Sequence, residues 1–364
     1  MRSRGRDMER SPRPASVASS AVAPAPTASR ELSLTDPRWR AFVRSHPESL
    51  AFHRPEWAGF LAECYGYRPF VLAQLDSGGS IAGGLPVLET KILGRRRWVA
   101  LPFTDQCPPL LSPVVDLDTF AQALEQMRGV HPLDVRASLP RAYPHGDAVL
   151  HRTELEPDPD ALFARFHRSQ VQRNVRRAER EGVVVRRAET SADLTCSFYR
   201  LMVETRRRLG MPAQPQRLFE ALWDRILDPG LGFLLLAYAG TQPVAGGVFL
   251  LGSNTITYKY GASDAAFWKL RPNHLVFWNA MQSACEQGYR WFDFGRTDLS
   301  DHGLRDFKAG WAAEEAPLVY SLLAERAPAN RGSGYALGMA RAVLRRSPAW
   351  VCRASGELLY RFAA

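Results

Sequence analysis

Apolar and polar residues alternate most clearly in the second half of the chain, where the pattern predicts strands with short turns between them. Three apolar runs follow one another, and Gly240-Thr241 marks a hairpin turn between the first two. Helical spacing precedes these runs, with Gly182 closing one basic helix. The predicted helices are Asp160–Phe166, Ser169–Glu181, Leu194–Leu209 and Arg217–Leu227, and the predicted strands are Val183–Arg187, Gly232–Ala239, Gln242–Leu251 and Thr255–Gly261.

The stretch from Tyr258 to Trp311 predicts a strand, a loop, a helix and a second strand. Pro272 suits the first turn of the helix, Asn273 can cap it, and the helix stops at Gly288 after about four turns. The open N-terminus of such a helix favours an anion. The unit therefore predicts a binding cleft at the start of this helix.

The first half carries a similar but shorter pattern. Helical spacing begins near Leu34, and His53–Cys64 reads as a second helix. Strands are predicted at Arg68–Leu75, Ile81–Glu89 and Arg97–Leu101, the last of which ends in PFTDQCPP. Each half thus shows helices, a hairpin and further strands, which predicts two copies of one α/β plan.

Composition adds a location for the charge. The net charge is +10; six Arg against two acids in residues 1–30 give +4, and six Arg against one acid in residues 331–364 give +5. The body is therefore nearly neutral, which argues against a general nucleic-acid surface and favours basic ends that approach anionic lipid or aid solubility. Five scattered cysteines without metal-type spacing favour a reducing cytoplasm.

Five motifs in order resemble the Fem-type branch of the GNAT acyltransferase superfamily. They are RNVRRAEREGV from Arg173, YKYGAS from Tyr258, LRPNHLVFW from Leu270, FDFGRT from Phe292 and GLRDFKAGW from Gly303. The first half is similar more loosely, through HPESLAFHRPEW and PFTDQCPPLLS. Within this branch the chain resembles FemAB-like proteins that are associated with exopolysaccharide (PEP-CTERM) loci and carry a BioF2-like acetyltransferase domain.

The resemblance implies an α/β (α+β) fold of two tandem GNAT-like domains with mixed, mostly antiparallel central sheets flanked by helices. The expected domains are 34–150 and 151–326, between a disordered basic tail at 1–33 and a basic amphipathic helical tail at 327–364. The implied activity is transfer of an acyl or aminoacyl group to an amine or hydroxyl of a cell-envelope glycan precursor, in peptidoglycan or exopolysaccharide synthesis. A cytoplasmic protein, peripheral at the inner face of the membrane, is expected.

The resemblance implies acyl-CoA or aminoacyl-tRNA as the donor co-substrate, no metal, and a glycan-precursor acceptor that can be lipid-linked. Nucleic acid is expected as a partner only in the form of donor tRNA. Two observations bear on the donor: the loop from Trp268 to Asn273 lacks glycine, and the chain has no sustained heptad arm. Both donors stay open.

The candidate chemical groups are Asp293, Arg296 and Tyr258. A carboxylate between Phe292 and Phe294 is expected to be partly buried and could act as a base, although Arg296 could instead pair with it structurally. Alternation places Tyr258 and Tyr260 on one face of their strand.

The candidate anion-binding groups lie on two helices and two loops. Arg173 and Arg177 belong to an arginine row at i, i+3, i+4 and i+7, which could grip a diphosphate or could be an ordinary solvated face. The remaining candidates are Lys269, Arg271, Asn273, Lys308 and Asp105.

Two further hypotheses remain open at this point. The fold could serve as a catalytically inactive binding or scaffold subunit of a membrane-associated polysaccharide assembly complex. It could also bind RNA, which the neutral body disfavours.

Overall fold

The computed structural model describes residues 28–92, 94–327 and 341–360. Its strands are β1 (Ala28–Ser33), β2 (Arg68–Leu75), β3 (Ile81–Ile92), β4 (Arg95–Ala100), β5 (Leu110–Leu111), β6 (Leu133–Val135), β7 (Tyr143–Glu154), β8 (Val183–Arg187), β9 (Gly232–Ala239), β10 (Gln242–Leu251), β11 (Thr255–Ser263), β12 (Trp291–Asp298) and β13 (Glu314–Leu323).

The helices are α1 (Pro37–Ser45), α2 (Pro55–Tyr65), α3 (Leu117–Arg128), α4 (Pro159–Arg165), α5 (Arg173–Arg180), α6 (Tyr199–Leu209), α7 (Gln216–Leu222), α8 (Pro272–Glu286), α9 (His302–Ala309) and α10 (Ala349–Leu359). Single π-type turns at Arg168–Gln172, Asp193–Phe198 and Trp223–Leu227 adjoin α5, α6 and α7, and 3₁₀ turns lie at Ala51–His53 and Ala265–Leu270. Within the described residues, no helix is long and apolar enough to cross a membrane.

The strands form one mixed, mostly antiparallel sheet in the order β1-β2-β3-β4-β6-β13-β7-β12-β11-β10-β9-β8, with β5 paired to β3. Counted inward from each edge, the two halves of the sheet have the same strand order. In this correspondence β1, β2, β3, β4, β6 and β7 of one half match β8, β9, β10, β11, β12 and β13 of the other. Each half contributes one parallel pair, β4 with β6 and β11 with β12. The expected α/β class of two similar halves with mostly antiparallel sheets is confirmed.

The halves exchange strands at their junction. Strand β7 follows the first half in sequence but pairs with β12 of the second half, and β13 follows the second half but pairs with β6 of the first. Strands β7 and β13 also pair with each other at the centre. The expected boundary between residues 150 and 151 therefore falls inside β7, and the two sheets are continuous.

The expectation that residues 1–33 form a disordered tail is wrong for its last six residues. Ala28–Ser33 is β1, which pairs antiparallel with β2 from Ala28 opposite Leu75 to Ser33 opposite Phe70. Its apolar content is low because it is an edge strand, with Leu32 as its buried residue. Residues 1–27 lie outside the described residues.

One apolar core crosses between the halves. Trp57 and Leu61 of α2 belong to the same buried cluster as Phe219 of α7 and Phe198 beside α6. A second cluster lies under α4, α5 and α8 of the second half, with Phe249, Phe277 and Trp311 among its rings. The shared core and the exchanged strands hold both halves against a central cleft.

Candidate functional site

The cleft lies where both parallel strand pairs stop. Strands β11 and β12 pair through Thr255–Thr257 and Trp291–Asp293, after which β11 continues beside β10 and β12 beside β7. Strands β4 and β6 pair through Trp98–Ala100 in the same way. Residues just beyond each pairing line a cavity of about 390 Å³.

The cavity lining is cationic and rich in tyrosine. One carboxylate, Asp105, stands against four basic side chains in the lining. The hydroxyl of Tyr320 donates to the backbone oxygen of Asp105 at 2.8 Å, which fixes the loop after β4. The basic residues are Arg136, Arg206, Lys259 and Arg296, and the tyrosines are Tyr65, Tyr260, Tyr320 and Tyr360.

Asp105 and Lys259 form the polar centre of this cavity. The Lys259 ammonium lies 3.5 Å from Asp105 Oδ1 and is 5% exposed. It also lies 5.4 Å from the ring centre of Phe52 and 5.9 Å from that of Trp57, within the range of cation–π attraction. Lys259 is thus shielded from water, and the Asp105 carboxylate compensates its charge. Asp105 itself lines the cavity, where a ligand can contact it.

A β-bulge places Lys259 and Tyr260 at the cavity. Tyr258 pairs with Phe249 and Tyr260 with the adjacent Val248, so β11 has one extra residue here. The inference that Tyr258 and Tyr260 share one face is therefore wrong. Tyr258 packs against Phe277 at 4.6 Å between ring centres, whereas Tyr260 lines the cavity.

Tyr258 is a packing residue in this arrangement. Its hydroxyl fills the space above Gly261, where a Cβ atom would lie 1.3 Å away. Burial raises the pKa of its phenol above the ordinary value. The candidate catalytic tyrosine lies outside the residues that line the cavity.

Asp293 is closed off from the cavity by the opposite half. Its Oδ2 accepts a hydrogen bond from Gln106 Nε2 at 2.8 Å, and its Oδ1 accepts one from the Gly295 backbone amide at 2.7 Å. Asp293 is 1% exposed. Burial raises its pKa from 3.8 to about 6, opposed by the Gly295 amide and assisted by the Asp105 charge.

Arg296 does not neutralise Asp293. Its guanidinium pairs with Asp298 at 2.6 Å and lines the cavity. The structural alternative of an Asp293–Arg296 pair is therefore wrong, and the partner of Asp293 is Gln106. Arg296 therefore contributes a positive charge to the lining of the cavity.

Lys308 lies beneath the same stretch of β12. Its ammonium donates to the backbone oxygens of Phe294 at 2.9 Å and Gly295 at 2.8 Å, and it is 3% exposed. Burial lowers its pKa to about 8, while the charges of Asp293 and Asp105 oppose that shift. Gly295 has φ +71°, and Asp105 Oδ2 lies 2.9 Å from where its Cβ would be. Lys308 thus fixes a bend over which Asp105 lies.

The start of α8 carries three predicted residues. Arg271 caps the helix in the left-handed conformation without a side-chain hydrogen bond, so the expected Asn273 cap is wrong. Asn273 Nδ2 instead donates to Ser263 Oγ at 3.4 Å. Lys269 and Arg271 are exposed there, and Arg208 lies 4.4 Å over the ring of Trp268.

The basic helix α5 and its preceding turn form a separate groove of about 490 Å³, which we call the arginine groove. Arg177 does not belong to it, because its guanidinium turns to Glu181 at 3.6 Å. Helix α5 contacts α8 through Asn174 and His274, whose side-chain nitrogens are 3.3 Å apart. The groove is lined by Arg168, Gln172, Arg173, Arg176 and Arg180.

The structure thus brings Asp105, Asp293, Arg296 and Lys308 together and leaves Tyr258 and Arg177 aside. Sequence reasoning missed Lys259 and Gln106. Gln106 adjoins the predicted Asp105 in PFTDQC, so the motif contained that signal. Lys259 was assigned to the face opposite Tyr260 because the bulge cannot be seen in the alternation pattern.

Comparisons with known proteins bear on the family of one segment and on the fold. Residues 165–309 match the family model described as acetyltransferase (GNAT) domain. This segment runs from the end of α4 to the end of α9. It is GNAT-like.

Two solved structures share the fold over most of the chain. FemX is similar with a TM-score of 0.64 at 18% identity, covering 80% of this chain and 96% of that one. L-PGS from Bacillus licheniformis is similar with a TM-score of 0.54 at 14% identity, covering 87% of this chain and 99% of that one. At these identities the likeness shows the fold. No protein with a curated description matches the sequence.

Proposed function

We propose that the protein is an acyl or aminoacyl transferase whose acceptor binds in the central cavity. The observation that carries the proposal is the position of Asp105. This carboxylate lies in a ligand-sized cavity, at the point where the strands of a GNAT-like segment separate. Perturbed ionisable groups, Asp293 and Lys308, lie directly behind it, and such groups cluster at functional sites.

The cavity lining supports an anionic acceptor. Four basic side chains against one acid favour a negatively charged ligand, and guanidiniums match phosphate and carboxylate oxygens in pairs. The tyrosines add hydroxyls on apolar rings, which suits a sugar. A phosphate-bearing glycan precursor of the cell envelope combines these features.

Direct transfer requires only positioning and a proton acceptor. The acceptor amine or hydroxyl attacks the donor acyl carbon, a C–N or C–O bond forms, and the thioester C–S or tRNA ester C–O bond breaks. Asp105 receives the proton of the attacking group, and water protonates the leaving group. Lys259 pairs with Asp105 at 3.5 Å and positions its carboxylate, while Lys308 and Asp293 are positioning residues that fix the bend of β12.

The donor side is assigned to the start of α8 and the arginine groove. The start of α8 has no side-chain cap and lies at the positive end of the helix dipole, and the exposed Lys269 and Arg271 beside it add charge that favours a phosphate. Arg173 and Arg176 add further charge on α5, which packs on α8. Both CoA and the end of a tRNA carry phosphates, so both donors are consistent with these cations.

One observation favours the alternative of a non-catalytic binding subunit. Asp293 is sealed by Gln106, so the acid that the sequence singled out does not reach a ligand. A binding subunit would keep the cavity but would not need Asp105 as a proton acceptor.

The two functions are separated by an Asp105→Asn variant. We first identify ligands by thermal shift and mass spectrometry with acyl-CoA, aminoacyl-tRNA and nucleotide-sugars. We then expect product formation to fall by about 100-fold or more in the variant, since a general base contributes that much, with acceptor binding retained. Arg44→Ala, an exposed cation on α1, is the matched control. Ligand binding without any turnover in the unmodified protein would support the binding subunit instead.

A further inference from the structure

The helix that ends the described chain is docked by one face only. Cys352 and Gly356 of α10 are buried, and a Cβ at Gly356 would lie 1.6 Å from the backbone oxygen of Ala213. Glu357 accepts a hydrogen bond from the Gln216 backbone amide at 2.9 Å. The preceding helical residues 341–346 also touch the body, because Arg341 O lies 2.5 Å from where a Cβ of Gly210 would be.

The opposite face of α10 is apolar and exposed. Trp350, Ala354 and Leu358 are spaced at i, i+4 and i+8, which aligns them along one side of the helix. Trp350 is 70% exposed and Leu358 64%. Val343, in the preceding helical residues, is also 64% exposed. These are large apolar side chains held in water on a docked, ordered helix.

The charge around this face is positive. Residues 341–360 contain four Arg and one Glu, a net charge of +3. Glu357 is used inward in the bond to the Gln216 amide, so the acid of this segment is engaged with the body. Arg345, Arg346 and Arg353 are exposed, and the Arg353 guanidinium lies 6.0 Å from the ring centre of Tyr199 on the body. An apolar stripe with arginines beside it is the pattern of a helix that lies in a membrane interface.

We infer that the Trp350–Leu358 face of α10, with Arg345, Arg346 and Arg353, docks on the surface of an anionic lipid bilayer. Charge complementarity selects this occupant over a second copy of the chain, since two such faces would bring their arginines together. Tyr360 directly follows α10 and lines the central cavity, with its ring centre 5.7 Å from that of Phe103. Docking would therefore place one wall of the acceptor cavity next to the lipid. The inference is independent of the proposed reaction.

The test is co-sedimentation of the full chain with vesicles of phosphatidylcholine, with and without about one quarter phosphatidylglycerol. We expect binding to the anionic vesicles alone, weakened as salt increases. The double variant Trp350→Ser with Leu358→Ser should weaken binding about tenfold or more, and Arg345→Glu with Arg346→Glu should do the same. Val130→Ser removes an apolar side chain that is 78% exposed in the loop after α3, and should change nothing.

Because the substituted side chains are exposed, the variants should keep the unmodified thermal stability. The arginine-rich residues 1–30 are present in every variant, so a difference in vesicle binding between variants is due to the substituted residues. Unchanged vesicle binding in both double variants would overturn the inference. The inference would also be overturned if the unmodified protein did not bind vesicles and light scattering showed it to be a dimer that dissociates in the Trp350→Ser with Leu358→Ser variant.

Discussion

Burial of Asp293 destabilises the charged form of its carboxyl group. Its pKa rises from 3.8 to about 6 because burial outweighs the Gly295 amide bond. A raised carboxyl pKa contributes stability that is complete below the unfolded pKa and is lost as pH rises through the folded one. The loss therefore falls between pH 3.8 and about 6.

We therefore expect Asp293→Asn to gain stability relative to the unmodified protein as pH rises from about 4 to about 6. The free-energy difference should grow by roughly 2 to 3 kcal/mol across that window and then level off. Asparagine can still accept the Gly295 hydrogen bond. Urea unfolding at several pH values measures the difference, with Asp298→Asn, whose side chain is 55% exposed, as control. A difference independent of pH would contradict the assignment.

Lys308 is the complementary case, a buried ammonium held by backbone oxygens. Lys308→Met leaves the oxygens of Phe294 and Gly295 without their donor and removes the cation near Asp293. We expect a loss of about 3 kcal/mol in the free energy of unfolding. Lys269→Met removes an exposed cation and should change stability by less than about 0.5 kcal/mol. Equal effects of the two substitutions would refute the structural role of Lys308.

At the scale of elements, the local sequence pattern predicts the bounds of those strands that are determined by neighbouring residues. The bounds of β2, β8, β9 and β10 are those that the alternation predicts, because each strand has a continuous apolar face and a turn at its end. Strands β6, β7 and β13 were missed. Their positions depend on pairing between residues far apart in sequence, such as Ser321 with Val135, and no local period records it.

The site shows the same division. The sequence placed Asp105 and Asp293 as candidates through motifs, and the structure brings them together. Asp105 lines the cavity whereas Asp293 is covered by Gln106, and the sequence does not record this difference because it depends on contacts between the two halves. The position of Lys259 at the cavity likewise depends on the bulge in β11. A bulge changes which face a side chain occupies without changing the composition of the strand.

The docking of α10 depends on one glycine. Gly356→Ala would place a methyl group 1.6 Å from the backbone oxygen of Ala213, so the helix must move away. We expect Cys352, which is 0% exposed, to become reactive toward a thiol reagent in addition to the exposed Cys196. Gly303→Ala in α9 is the matched control, since its nearest neighbour would be 3.9 Å away. An unreactive Cys352 in the Gly356 variant would show that the helix tolerates the shift.

At the scale of the whole molecule, the exchanged strands decide whether the halves can be separated. Strand β7 supplies hydrogen bonds to β12 on one side and β13 on the other, and Ala148 and Leu150 pack with Leu318 and Tyr320. The matching of β7 to β13 across the centre means that each half is completed by a strand from the other. A cut at residue 150 divides that strand.

We therefore expect residues 155–327, which lack β7, to fail to fold cooperatively, whereas residues 143–327 should fold. The longer fragment keeps β7 between β12 and β13, so seven strands stay in their observed order. The shorter one exposes the edge of β12 and detaches β13, and unpaired strand edges promote aggregation. Thermal unfolding followed by circular dichroism and by light scattering measures both outcomes. A cooperative transition in the shorter fragment would mean that β7 is dispensable and that the second half folds as a domain without it. If neither fragment showed a cooperative transition, the shared core around α2 and α7 would be the element that the second half needs in order to fold.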